Sequence, residues 1–388
     1  MGRIIVFTGK GGVGKSSIAS AHAVKAAKEG KKTLVVSTDM AHNLSDIFMT
    51  QIKNEPVEVM DNLDALEIDP NHELANQYDN IAKAVTNLVK GTSKDAEDAI
   101  EDISVFPGSE ELLSLIRINE IYESNRYDLI IVDCAPTGET LALLKFPELM
   151  SWYMKKLFPI GKGALKILRP ISKAAFKIEM PDKAAMNDIE RLYLKLLKLQ
   201  QLLKNRDICS IRIVTIPEKM VVEETKRSYM YLNLYNFNVD ALYINRIISS
   251  EVKNKFFDNW KVIQGQYLSE INDTFPDLKT YKIKWYETDL NGINNLERIC
   301  RDSLADENIF KVLKQSSNEM YTKFGDGYKL KILVPFANKE NMELYQSNSE
   351  LIIKLRNFKR DIVLPDVIRK CEIVSSKLLD GRLEIIFK

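Results

Sequence analysis

The stretch that most constrains this chain is its opening one, Arg3 to Ser16, RIIVFTGKGGVGKS. Ile4, Ile5, Val6 and Phe7 form a short apolar run that reads as a buried strand. The glycine-rich turn Gly9-Lys10-Gly11-Gly12-Val13-Gly14-Lys15-Ser16 follows and fits G-x-x-x-x-G-K-[ST]. From Ser16 the spacing turns helical and stops at Gly30. Strand, loop and helix in that order are the context that gives the pattern meaning. Without Cβ atoms, backbone N–H groups can close around phosphate oxygens. The helix N-terminus adds unpaired donors and the positive end of a dipole. Lys15 is placed to reach the β/γ-phosphates and the Ser16 hydroxyl to ligate Mg²⁺, with Ser17 beside it in the first turn.

Composition sets outer bounds. A length of 388 residues leaves room for a large α/β domain and an appendage. A net charge of +1 gives no reason to expect nucleic acid as a partner. The chain has no apolar run of membrane-spanning length, and its first residues read as a strand rather than a signal peptide, so the expected compartment is the cytoplasm. Cys134, Cys209, Cys300 and Cys371 are widely separated and form no C-x-x-C pair, which suggests isolated, reduced thiols.

Lys32–Asp39 (KTLVVSTD) is a second strand that ends on a carboxylate, at the strand end that faces the ligand crevice of an open α/β sheet. Tyr127–Asp133 (YDLIIVD) is a third, and an Asp closing a buried strand downstream of such a loop suits Mg²⁺ and its waters. Ser210–Pro217, Val239–Asn245 and Thr280–Trp285 read as further strands, with helices over Glu218–Leu234 and Phe257–Ile271 between them. The alternation predicts a doubly wound, mostly parallel sheet.

These residues together carry a resemblance. Lys10 makes the loop K-G-G-V-G-K-S, a deviant form with an extra lysine. With DMAHNLSD from Asp39, DCAPTGETL from Asp133, Pro217-Glu218 and Asn245, residues 1–322 resemble the arsenite-pump ATPase and tail-anchored-protein targeting factor family. The resemblance implies an Mg²⁺-dependent ATPase that works as a homodimer. In it Lys10 crosses to the partner's nucleotide, Asp39 orients the attacking water and lies near the metal, and Asp133 is the switch II aspartate. It further implies that Asn245 contacts adenine, that Glu218 contacts nucleotide from the opposite subunit, and that the loop from Trp285 to Leu296, with Tyr286, holds the base. Met40, Cys134 and Glu139 depart from the family pattern, which usually has Pro, Thr and His there. Cys134 reads either as a redox-sensitive thiol or as a small buried residue.

Two stretches, about 71–124 and 146–203, interrupt the strand–helix rhythm and read as helical insertions. Residues 151–181 carry six lysines and one arginine against one glutamate, interleaved with Trp152, Met154, Leu157, Phe158 and other apolar side chains. Two readings stand: a cation-rimmed surface for an apolar client helix or a membrane face, or the core of the insertion itself. Beyond Lys323-Phe324-Gly325-Asp326-Gly327, read as a linker, residues 328–388 form short strands. LVPFA, ELIIKL, FKRDIVLP and LLDGRLEIIF in that order resemble the α-crystallin domain of small heat-shock proteins, which a subgroup of the same family bears. The expected fold is therefore an α/β P-loop ATPase with helical insertions and a small C-terminal β-sandwich. Its expected function is nucleotide-controlled binding of a hydrophobic client. The alternatives are an ATPase energising an arsenite or anion pump, and a MinD-like ATPase that associates with membranes.

Overall fold

The structure is a computed structural model that describes residues 2–38, 43–69, 109–134, 194–195, 197–314, 318–347, 350–356 and 358–388. Most of both insertions, with Asp39, Met40, His42 and Glu139, lies outside the described residues.

An eight-stranded sheet organises the larger part, in the order β3-β4-β2-β5-β1-β6-β7-β8. Its strands are β1 (Arg3–Thr8), β2 (Thr33–Ser37), β3 (Val57–Met60), β4 (Leu63–Glu67), β5 (Leu129–Asp133), β6 (Cys209–Thr215), β7 (Val239–Ile247) and β8 (Lys279–Lys284). Every pairing is parallel except that of the edge strand β3 with β4. Strands β1, β2, β5 and β6 are buried along their whole length, as continuous Ile/Val/Leu runs covered on both faces must be. Strands β3 and β4 have no counterpart in the sequence reading, because VEVM and LDALE are short and broken by acidic residues.

The described helices are α1 (Lys15–Lys28), α2 (Asn43–Phe48), α3 (Ser109–Glu123), α4 (Lys219–Leu234), α5 (Lys255–Thr274) and α6 (Ile293–Ser303). Helix α1 is buried along Ala19, Ala21, Ala23, Ala26 and Ala27, small enough to let its neighbours come close, with Cys300 Sγ of α6 on the Ala21 carbonyl at 3.0 Å. It ends where Gly30 takes φ 79°, with Lys31 N–H on the Ala26 carbonyl at 3.1 Å and Gly30 N–H on that of Ala27 at 2.9 Å. That pair of bonds is a Schellman stop.

A wholly buried polar network locks the sheet to the segment after α6. Arg212 Nη1 donates to Glu307 Oε1 at 2.5 Å and to Tyr243 OH at 3.0 Å. Tyr243 OH donates to the same Glu307 oxygen at 2.6 Å, and His22 Nε2 lies 3.1 Å from Glu307 Oε2. Asp240 stands between Arg212 Nε at 3.4 Å and Arg3 Nη2 at 3.5 Å. Two guanidinium groups thus meet two carboxylates, which is how buried charge is tolerated.

The C-terminal part holds two antiparallel sheets. One has the order β14-β15-β10-β9 and the other β11-β12-β13. The strands are β9 (Glu319–Phe324), β10 (Gly327–Leu333), β11 (Met342–Ser347), β12 (Glu350–Leu355), β13 (Phe358–Val363), β14 (Ile373–Leu379) and β15 (Arg382–Phe387). Leu330, Ile332, Leu351, Ile353, Leu383 and Ile385 pool in one buried cluster between them. Here the structure corrects the linker reading. Residues 323–327 are a hairpin, with Gly327 paired to Phe324 and Gly325 at φ 57°, so β9 already belongs to this sheet.

This part is packed on the C-terminal half of α4. The Phe358 and Tyr231 ring centroids are 3.6 Å apart, Tyr235 OH donates to the Lys359 carbonyl at 2.6 Å, and Asn318 Nδ2 donates to that of Phe237 at 2.7 Å. Arg360, 5% exposed, bonds the Leu234 carbonyl and Glu319.

Candidate functional site

The crevice of the large sheet opens at the carboxyl end of β1. From β1 the chain runs through α1 to β2 on one side, and from β5 it passes to β6 on the other. Such a switch point is where open α/β sheets bind ligands. The loop Gly9–Gly14 lies there. Gly14 takes φ 91°, and a Cβ on it would stand 2.4 Å from Asn245 Nδ2. A Cβ on Gly9 would stand 2.2 Å from the Val214 carbonyl oxygen. Gly11 and Gly12 are exposed at the tip and Val13 is buried beneath them.

Helix α1 starts at Lys15 with Gly14 as its N-cap, so no side chain caps its first N–H groups and no acid stands in its first turn. Those donors face an anion by default. Lys15 is buried and reaches back over the loop, its Nζ 3.5 Å from the Lys10 carbonyl oxygen. Ser16 and Ser17 follow, half-buried. A loop that leaves no room for a Cβ at Gly9 or Gly14, joined to an uncapped helix start and a buried ammonium, fits a polyphosphate. Lys10 leaves the cradle: its Nζ is 3.9 Å from Glu224 Oε2 on α4, with its side chain 39% exposed.

Asp133 closes β5 in register with Phe7 of β1 and Ser37 of β2, and is 1% exposed. Its carbonyl accepts from Thr38 N–H at 3.0 Å, and Cys134 N–H donates to the Phe7 carbonyl at 3.2 Å. A hydroxyl at Ser16 and a carboxylate at Asp133 are hard oxygen donors of the kind Mg²⁺ takes. Cys134 is 1% exposed, as a small buried residue is. Asp39 follows Thr38 and lies outside the described residues. Downstream of it, Glu67 at the end of β4 accepts from Ser45 N–H at 2.9 Å and from Ser45 Oγ at 2.8 Å, tying α2 to the sheet. Sequence reasoning missed Glu67 because its strand was missed.

Asn245 of β7 comes to the loop, with its Nδ2 donating to the Val13 carbonyl at 2.8 Å. Glu218 is exposed on the same rim as the N-cap of α4. Tyr286 turns inward: it is 6% exposed, with Lys284 Nζ and the Arg298 guanidinium at 5.1 Å and 5.0 Å from its ring centre. Its neighbour Trp285, 53% exposed, is the residue of this stretch that faces outward. Both lie just past β8, where the alternation that buries Ile283 and exposes Lys284 breaks, so strand parity in the sequence does not place Tyr286 inside.

Among the described residues no helix is long and apolar enough to cross a membrane, and no cluster of His, Cys, Asp and Glu is arranged to hold a metal ion. Burial pushes the Cys209 and Cys300 thiols up to about 12.

Residues 2–304 match the family described as anion-transporting ATPase, and residues 325–387 match the HSP20-like domain found in ArsA. A protein of Aquifex aeolicus named arsenical pump-driving ATPase 1 is 32% identical over 386 residues, which is 97% of each chain. One of Prosthecochloris vibrioformis named arsenical pump-driving ATPase is 34% identical over 390 residues, 99% of this chain and 96% of that one. The ATPase ASNA1 homolog 2 of Paramecium tetraurelia is 30% identical over 299 residues, 75% of this chain and 90% of that one.

Proposed function

This chain belongs to the anion-transporting ATPase family, and from that premise we propose that it works as a homodimer whose ATP cycle opens and closes a surface for a hydrophobic client. It is an ATPase and binds nucleotide. In the proposed cycle the N–H groups of Gly11–Ser17 and the Lys15 ammonium hold the triphosphate, and Asp39 orients water for in-line attack. Ser16, Asp133 and Asp39 would hold Mg²⁺, which offsets phosphate charge when bound. Lys10 supplies its charge to the partner's phosphates, with Glu218 approaching from the same side.

The observation that carries this reading is the position of Lys10. Its ammonium lies outside its own cradle, half-exposed, and is held by one partly exposed carboxylate. Large apolar side chains on the same rim support a partner there. Met220 in the first turn of α4, Phe256 in the first turn of α5, and Trp285 just after β8 are each more than half exposed on the segments that follow β6, β7 and β8. The client surface is assigned to residues 146–203, on the strength of their apolar and basic composition.

The test is Asp39→Asn in the full-length protein. It should bind MgATP as the parent does, lose hydrolysis and be captured as a dimer by native mass measurement. Undiminished turnover would remove Asp39 from its role, and a lone chain with a non-cleavable analogue would remove the dimer.

A second reading is favoured by the names of the relatives, which describe them as arsenical pump-driving ATPases. Soft metalloids want clustered thiolates. Here Cys134 and Cys209 are buried and apart from the half-buried Cys300 and Cys371. Arsenite-stimulated hydrolysis would decide for the pump.

A further inference from the structure

Helix α5 is mostly exposed, and among its twenty residues only Gln264 and Ile271 are buried. A buried glutamine on such a helix is costly unless both ends of its amide are used. They are. Gln264 Oε1 accepts from Ile248 N–H at 3.0 Å, and its Nε2 donates to the Arg246 carbonyl at 2.9 Å. Arg246 belongs to an irregular end of β7 and Ile248 directly follows it; there the pairing with β8 slips between Ile244 and Ile247. Arg246 sits there at φ 57°, a region that side-chain-bearing residues disfavour. The distortion turns Arg246 N–H onto the side chain before it, donating to Asn245 Oδ1 at 2.8 Å. That leaves Asn245 Nδ2 aimed at the Val13 carbonyl, 2.8 Å away.

Here the planarity of the peptide matters. In a trans peptide the carbonyl of Val13 and the N–H of Gly14 point in opposite directions. Pulling the carbonyl toward β7 therefore turns the Gly14 N–H away from β7. We propose that Gln264 is a positioning residue for nucleotide binding: acting through Arg246 and Asn245, it fixes the direction of the Gly14 N–H in the phosphate cradle. The proposal rests on the nucleotide reading above and adds a residue from a helix outside the motif.

Val13-Gly14 is the only Val-Gly pair in the sequence, so carbonyl-¹³C valine with ¹⁵N glycine labels a single amide in the full-length protein. In nucleotide-free protein, Gln264→Leu should move that resonance, while glycine amides other than that of Gly265 stay in place. It should also weaken MgADP binding about tenfold, as losing a hydrogen-bonded positioner does. Gln264→Glu keeps an acceptor for Ile248 N–H but loses the donor to Arg246, and should move the same amide. It carries the test if the leucine variant does not fold. A Gly14 amide unmoved in the folded variants, or unchanged MgADP affinity, would overturn the proposal. A parent protein that binds no MgADP would instead sink the nucleotide reading, leaving the amide shift to decide the relay.

Discussion

Lys10 Nζ and Glu224 Oε2 stand 3.9 Å apart, so the loop's extra lysine pairs with a carboxylate on α4 of its own chain. Both side chains are partly exposed, and such pairs contribute at most about 1 kcal/mol. The lysine is therefore held loosely enough for a phosphate to take it. Glu224→Gln should leave the unfolding midpoint within about 2 °C. It should tighten MgATP binding about two- to threefold, read by titration calorimetry. Weaker binding would mean that Glu224 itself serves the nucleotide.

Gly14→Ala tests the cradle from two sides. The left-handed φ costs a side-chain-bearing residue about 1–2 kcal/mol, and the new Cβ would meet Asn245 Nδ2 at 2.4 Å. Nucleotide affinity should fall more than about tenfold. Adding Asn245→Ala should restore part of the thermal stability, because the clash is shared, but not the affinity.

Acid should weaken the fold through Glu307. Burial alone would raise its carboxyl, but His22, Arg212 and the Tyr243 hydroxyl outweigh burial and hold it at about 2, against an ordinary 4.5. A carboxyl lowered on folding lends stability that is complete above pH 4.5 and is lost as pH falls through 2. Urea unfolding between pH 5 and 3 should show that loss, and Glu307→Gln should flatten it. At neutral pH the variant should cost about 3–5 kcal/mol, since it strips Arg212 of its closest counter-charge.

Arg360→Met should loosen the β-rich part from α4. It removes the donors to the Leu234 carbonyl and Glu319 while keeping an apolar stem. Hydrogen exchange should rise in residues 229–237 and across β13, at a cost of about 1–3 kcal/mol. Basal ATP turnover should stay unchanged, because these contacts lie at the opposite end of α4 from Lys10's partner.

The strand, glycine loop and helix at the start of the chain were legible because their requirements are local: backbone freedom at fixed spacings, between a β-branched run and a helix start. The central strands were legible for a similar reason, being continuous apolar runs. What escaped is non-local or shares its spelling with something else. Gly325-Asp326-Gly327 serves a linker and a hairpin equally well, and only the pairing of β9 with β10 decides between them. Arg212 and Glu307 lie far apart in the chain, and each alone reads as a surface charge. Asn245 could be matched to the site by resemblance, but its hold on the Val13 carbonyl needed the register of β7 against the loop.

Phe358 resting on Tyr231 has one further consequence. The outer flank of α4 has been fitted as an interior, with Tyr229, Tyr231 and Leu234 all hidden from water. A gene cut just before β9 would lay that greasy flank bare and leave Phe358 uncovered on the other fragment. Each product would need polar replacements on its newly bared face to stay dispersed, along α4 in one and around Phe358 in the other.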